Sequence, residues 1–153
     1  MKTNKKPNFL IVGAMKAATT SLYAYLKDHP DIYLPSIKEP MFFNNIKTDN
    51  KKIILRGRAK KKIKSFKEYF DLFKTVNNEI AIGEASPGYL YNVNCAKLIH
   101  KHLGGDTKII VVLRQPVNRA YSNFLHARRS GKEKIKEFTN AINKEEERVE
   151  KNW

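Results

Sequence analysis

The sequence predicts an α/β layer fold, a parallel sheet flanked by helices. Short apolar runs end at glycine or at a polar turn, as buried strands do. Segments with helical spacing stand between those runs, and strands alternating with helices build parallel sheets. Hydrophobic residues make up 41% of the 153-residue chain, too many for a disordered one and enough for one modest core. No internal repeat or low-complexity linker divides it, so residues 1–153 are expected to form a single domain.

Residues 8–13 read as the first buried strand, an apolar run closed by Gly13. A helix is expected over 19–28, with Leu22, Tyr25 and Leu26 on its inner face and Pro30 just past its end. Ile32-Tyr33-Leu34 is a short strand before Pro35. The stretch Lys38-Glu39-Pro40-Met41-Phe42-Phe43 reads as a loop with a charge pair beside aromatics. Residues 47–64, crowded with lysine and arginine and without a period, read as an exposed loop. Ser65 to Phe73 has Phe66, Tyr69, Phe70 and Phe73 at helical spacing, a core-facing aromatic stripe rather than a stacking platform.

Ile80-Ala81-Ile82-Gly83 is a further buried strand leading into Glu84-Ala85-Ser86-Pro87. Asn94 is expected to cap a helix through Leu103, with Ala96, Ile99 and Leu103 inward and Gly104-Gly105 as its stop. Lys108 to Leu113 gives the clearest strand signal. Pro116 suits the first turn of a helix carrying Val117, Ala120, Tyr121, Phe124 and Leu125. Lys134 to Trp153 reads as one charged helix that ends abruptly, which suggests a fold truncated at its C-terminus.

Thirty Lys and Arg stand against fifteen Asp and Glu, a formal net charge of +15. Such a surface attracts polyanions, nucleotides among them, although lysine-rich composition alone accounts for part of the excess. The lone Cys95 excludes an internal disulfide and a multi-cysteine zinc site. It reads as a small packing residue. No apolar run approaches the roughly 20 residues that span a bilayer. The basic start followed by Phe9 to Val12 superficially resembles a signal peptide, but the run is short, Pro7 precedes it and Lys16 follows it. It is read as a core strand, with a cytoplasmic protein as the expectation.

The chemistry begins where the first strand ends. Gly13-Ala14-Met15-Lys16-Ala17-Ala18 is a loop of small residues with one lysine, opening a helix that begins Thr19-Thr20-Ser21. A helix N-terminus presents backbone N–H groups without intrahelical partners and the positive end of the helix dipole. This is an anion loop, for phosphate or sulfate. It departs from G-x-x-x-x-G-K-[ST], since Ala18 replaces the second glycine and Lys16 lies inside the loop. Arg114 follows the Lys108–Leu113 run where a magnesium-binding Asp would stand in a P-loop NTPase. A P-loop NTPase-like sheet with different chemistry is therefore expected.

Three segments together resemble the sulfotransferases that use 3′-phosphoadenylyl sulfate (PAPS), especially the heparan-sulfate-type and related bacterial enzymes. They are Gly13-Ala-Met-Lys-Ala-Ala-Thr-Thr-Ser-Leu22, Lys38-Glu-Pro-Met-Phe-Phe43 and Val112-Leu-Arg-Gln-Pro-Val-Asn-Arg-Ala-Tyr-Ser122. Gly83-Glu-Ala-Ser-Pro-Gly-Tyr-Leu90 also fits. The resemblance implies that Lys16, Ala17, Ala18, Thr19, Thr20 and Ser21 hold the 5′-phosphosulfate. It implies that Lys16 also stabilises the leaving oxygen and that Glu39 is the catalytic base, with Phe42 and Phe43 limiting water access. Arg114 and Ser122 are implied to hold the 3′ phosphate.

PAPS is then the co-substrate, with PAP its product and a carbohydrate hydroxyl or amine the acceptor, and no metal or specific nucleic-acid partner is implied. The resemblance covers the N-terminal half to two-thirds of a typical catalytic domain. Two departures stand out: Ala85 replaces a lysine common in heparan-type relatives, and Ala17 and Ala18 replace glycines. A P-loop nucleotide kinase, a basic nucleic-acid-binding module and a catalytically inactive fragment remain as alternatives. The sequence leaves the oligomeric state open.

Overall fold

The computed structural model describes residues 5–46 and 63–150. The basic stretch at 47–62 lies outside the described residues. Two compact units are present, residues 1–113 and 114–153.

The first unit is built on β1 (Phe9–Gly13), β2 (Ile32–Tyr33), β3 (Ala81–Ala85) and β4 (Lys108–Val111). Their order in the sheet is β2-β3-β1-β4, and every pairing is parallel. β1 is buried along its whole length. Its alternate side chains feed two cores, as a strand covered on both faces requires. Leu10 and Val12 join Phe42, Phe43, Tyr69, Phe73, Cys95 and Leu98 on one face. Phe9 and Ile11 join Tyr23 and Leu34 on the other. Gly83 stands opposite Phe9 in the β1–β3 register, and a Cβ there would lie 2.4 Å from the Phe9 ring. Glycine at that position is what lets the aromatic side chain lie flat across the neighbouring strand.

Helix α1 (Thr19–Lys27) packs on the Phe9–Ile11 face. Its buried aromatic is Tyr23, whose hydroxyl donates to the Pro35 carbonyl, whereas Tyr25 is exposed. The expected inner face was therefore displaced toward Tyr23, although Leu22 and Leu26 do pack inward. The opposite face is covered by α2 (Phe42–Asn45), α3 (Phe66–Asp71) and α4 (Val93–Leu103). Ser65 caps α3 by accepting from the Glu68 N–H at 3.2 Å. The cap of α4 is Asn92, not Asn94: the Asn92 side chain accepts the Asn94 N–H at 3.1 Å. That start puts Cys95, Leu98 and Ile99 inward and leaves Ala96 outside. Gly104, with φ +100°, ends the helix.

β4 occupies a sheet edge, and Ile109, Val111 and Leu113 are substantially exposed. A strong apolar run thus marks an edge strand here rather than a buried one. In the second unit α5 (Pro116–Arg129) has proline in its first turn and no buried residue. Tyr121, Phe124 and Phe138 form its aromatic cluster, with centroids 5.1–6.3 Å apart. The single charged helix expected after Lys134 is instead α6 (Phe138–Ile142) and α7 (Glu145–Glu150). Arg148 meets the buried carboxylate of Glu133 at 2.8 Å, folding the segment back on itself.

Candidate active site

β1 runs into α1 on one face of the sheet, whereas its neighbour β3 runs into α4 on the other. Connections that part in this way open a crevice at the carboxyl ends of the two strands, where open α/β sheets bind ligands. The loop after β1 lies there. Lys16 (φ 66°) and Ala18 (φ 65°) are both left-handed. Ala17, between them, is buried, and its N–H donates to the Ala14 carbonyl at 3.2 Å. Ala18 is the N-cap of α1 and brings no capping side chain, so the first-turn amides of Thr19, Thr20 and Ser21 have no side-chain cap from that position. Thr19 is buried, Lys16 half-buried, and Thr20 and Ser21 are exposed. The donor set is three amides, three hydroxyls and an ammonium, a combination suited to a tetrahedral anion.

The acidic segment is brought to this loop. Lys38 Nζ donates to Thr20 Oγ1 at 2.7 Å and to Glu39 Oε1 at 3.0 Å. One ammonium therefore joins the start of α1 to the carboxylate expected to act as base. Glu39 (φ 57°) and Met41 (φ 52°) repeat the left-handed pattern of the first loop. Phe42 and Phe43, expected to shield the site from water, instead point into the core. Phe42 stacks on Tyr69 with centroids 4.6 Å apart, and Phe43 meets Tyr69 and Tyr89 edge-on. Their burial anchors the segment from below.

Beneath the segment lies a group that sequence reasoning did not assign. Glu84 on β3 is fully buried. Its carboxylate accepts from Tyr89 at 2.7 Å, Ser86 at 2.8 Å and Tyr69 at 3.4 Å. Burial pushes this carboxyl up to about 7, the three hydroxyl bonds pull the other way, and the charge of Glu39 adds to the rise. Burial and the Glu84 charge together push the Cys95 thiol up to about 12, consistent with a packing role for that cysteine. The signal was present in the sequence as a carboxylate in an otherwise apolar strand, with Ser86 and Tyr89 shortly after it. What it faced was not.

Arg114 is exposed and opens the second unit, while Ser122 is half-buried on α5. The Gln115 side chain caps α5 by accepting the Asn118 N–H at 2.8 Å. In the first unit, the strand leading to Arg114 is tied to the anion loop: Ala14 N–H donates to Val112 O at 2.8 Å, and Val112 N–H to Gly13 O at 2.7 Å.

Comparison with known proteins gives a consistent result. A solved sulfotransferase from Alicyclobacillus acidocaldarius is 36% identical and superposes with a TM-score of 0.78 over 97% of this chain and 60% of its own. The chain belongs to the sulfotransferase family. The membrane-associated sulfotransferase kil1 of Dictyostelium discoideum is 34% identical over 77% of this chain. Human heparan sulfate glucosamine 3-O-sulfotransferase 6 is also 34% identical over 77% of it. The chain spans 22% and 30% of the length of these two relatives. No protein-family model matches the chain. Among the described residues no helix is long and apolar enough to cross a membrane.

Proposed function

We propose that the chain takes part in sulfuryl transfer from PAPS to a hydroxyl or amine, with a carbohydrate as the acceptor class. The observation that carries the reading is the Lys38 bridge between Thr20 and Glu39, which couples an anion loop to a carboxylate. Carbohydrate sulfotransferase 15 of Mus musculus, 26% identical over 82% of this chain, and the heparan sulfate relative support the acceptor class. Both units are taken as parts of one sulfotransferase domain, a reading supported by the 97% coverage of this chain in the solved relative.

PAPS, when bound, supplies the sulfuryl group and a phosphate leaving group. The residues present fit it: amides of Thr19, Thr20 and Ser21, their hydroxyls and the small Ala17 and Ala18 suit the 5′ phosphate. Lys16 donates toward the oxygen on which charge develops as the S–O bond breaks, a role that binding alone would not need. Glu39 accepts the acceptor's proton, and Lys38 supplies its counter-ion. Arg114 offers a planar fork of donors matched to a 3′ phosphate, with Ser122 as a further hydroxyl. Radiolabelled PAPS incubated with the chain and a panel of desulfated glycosaminoglycans tests this. Label transferred by wild type and lost in Glu39→Gln is the expected outcome. Equal label in both would remove Glu39 from the reaction.

A further inference from the structure

The Lys38–Phe43 segment holds two non-glycine residues, Glu39 and Met41, in left-handed conformations that side chains disfavour. Such a backbone persists only when its surroundings over-determine it. Three alternate amides show how. Glu39 N–H donates to the Ala85 carbonyl at 3.1 Å. Met41 N–H donates to Ser86 Oγ at 3.0 Å, and Phe43 N–H to Tyr89 Oη at 3.4 Å. The last two acceptors are hydroxyls, and a hydroxyl has a single proton. Both protons point at Glu84, on Oε2 from Ser86 and Oε1 from Tyr89. Lone pairs of both oxygens are thereby turned toward the loop.

We propose that Glu84 is a positioning residue: its buried carboxylate orients the Ser86 and Tyr89 hydroxyls as acceptors for the loop amides and so fixes the backbone that carries Glu39. Above about pH 7, where the buried group is ionised, a carboxylate has only acceptor sites, so it cannot compete with the amides as a donor to these hydroxyls. Glutamine in its place offers an N–H₂ that would turn one hydroxyl round and leave a buried O–H without its acceptor. Glu84 itself is sealed from solvent, so it acts through the groups it touches. Backbone bonds hold the hydroxyl-bearing turn in place from the other side, with Ser86 N–H on the Ile11 carbonyl and Tyr89 N–H on the Ser86 carbonyl, both at 3.0 Å. The loop-holding step stands by itself, and its catalytic consequence rests on the sulfuryl-transfer reading above.

Amide hydrogen exchange by NMR on wild type, Glu84→Gln, Ser86→Ala, Tyr89→Phe and Tyr69→Phe tests it. Tyr69 also donates to Glu84 but is not one of the three acceptors that hold the loop amides, so its variant is the control for a general packing role. The expected result is exchange of the Met41 amide about tenfold faster in Glu84→Gln and Ser86→Ala, and of the Phe43 amide in Glu84→Gln and Tyr89→Phe. The β1 and β3 amides should keep their protection in all variants, and Tyr69→Phe should leave the loop amides protected. Loop protection unchanged in Glu84→Gln, or lost equally in Tyr69→Phe, would overturn the proposal. Should Glu84→Gln fail to fold, the two single-hydroxyl variants decide it by the same amides. In transfer assays a lower kcat with an unchanged KM for PAPS is expected of Glu84→Gln. A wild type that transfers nothing while the exchange pattern holds would refute the sulfuryl-transfer reading and leave the positioning claim supported.

Discussion

Two loops of this molecule share a backbone device and differ in what secures it. Lys16 and Ala18 in one, and Glu39 and Met41 in the other, are left-handed pairs two residues apart. The first loop is secured by backbone: Gly13 and Ala14 bond to Val112, Ala17 to Ala14, and the first rung of α1 runs from Leu22 N–H to Ala18 O. The second is secured largely by buried side chains some 45 residues away in sequence, above all Ser86 and Tyr89 oriented by Glu84. A loop held by backbone bonds to its helix and to the neighbouring strand's end depends on small residues. A loop held by a polar network depends on the protonation and identity of distant groups.

If the loops divide the work as binding and proton transfer, substitutions should separate them. Glu39→Gln is expected to lower the transfer rate by about 10²–10⁴-fold while PAP affinity stays within about twofold, read by initial rates and calorimetry. Comparable losses in both would erase the division.

The next effect in size concerns pH. Glu84 rises from 4.5 unfolded to about 7 folded, so the folded state holds its proton more tightly. Its contribution is fully present below the unfolded value, is lost as pH rises from about 4.5 through 7, and levels off above. The full span is about 3 kcal/mol. The groups facing it are Tyr69, Ser86, Tyr89, Cys95 and Glu39. Urea melts across that range should show the fall in wild type and a flatter profile in Glu84→Gln. An equal slope in both would place the titration elsewhere.

Lys16→Ala should weaken PAP binding by about 10–100-fold, read by calorimetry, since a charge-assisted bond contributes about 1.5–3 kcal/mol. The smallest effects compare the two left-handed pairs directly. Ala18→Gly relieves a left-handed alanine and should raise stability by up to about 1 kcal/mol. Met41→Gly relieves the same conformation but removes a side chain only 6% exposed, and should lower stability by about 2 kcal/mol or more. Thermal melts of the pair would show opposite signs.

Much of the fold was legible because its signals are local. β1, the loop after it, α1 and the proline start of α5 each follow from a few neighbouring residues. The family resemblance also pointed to the segments of Lys16 and Glu39, and in the structure Lys38 joins Thr20 of one to Glu39 of the other. What escaped was set by tertiary context. Tyr23 rather than Tyr25 turns inward because α1 docks through the Pro35 carbonyl. β4 reads as core by composition yet lies at an edge, a distinction that apolar content does not encode. The break between α6 and α7 follows no apolar stripe and is fixed by Glu133 and Arg148, fifteen residues apart. The role of Glu84 is not legible locally because it lies in amides that the chain places forty-odd residues earlier.

The central claim is that residues 13–21 form the seat of a sulfated nucleotide. Calorimetric titration of the folded chain with PAP, alongside ATP and the Lys16→Ala and Arg114→Ala variants, tests it most directly. The account predicts one PAP site, weakened by both substitutions, with ATP binding poorly. A folded chain that binds no PAP, or binds it equally well without Lys16 and Arg114, would contradict it.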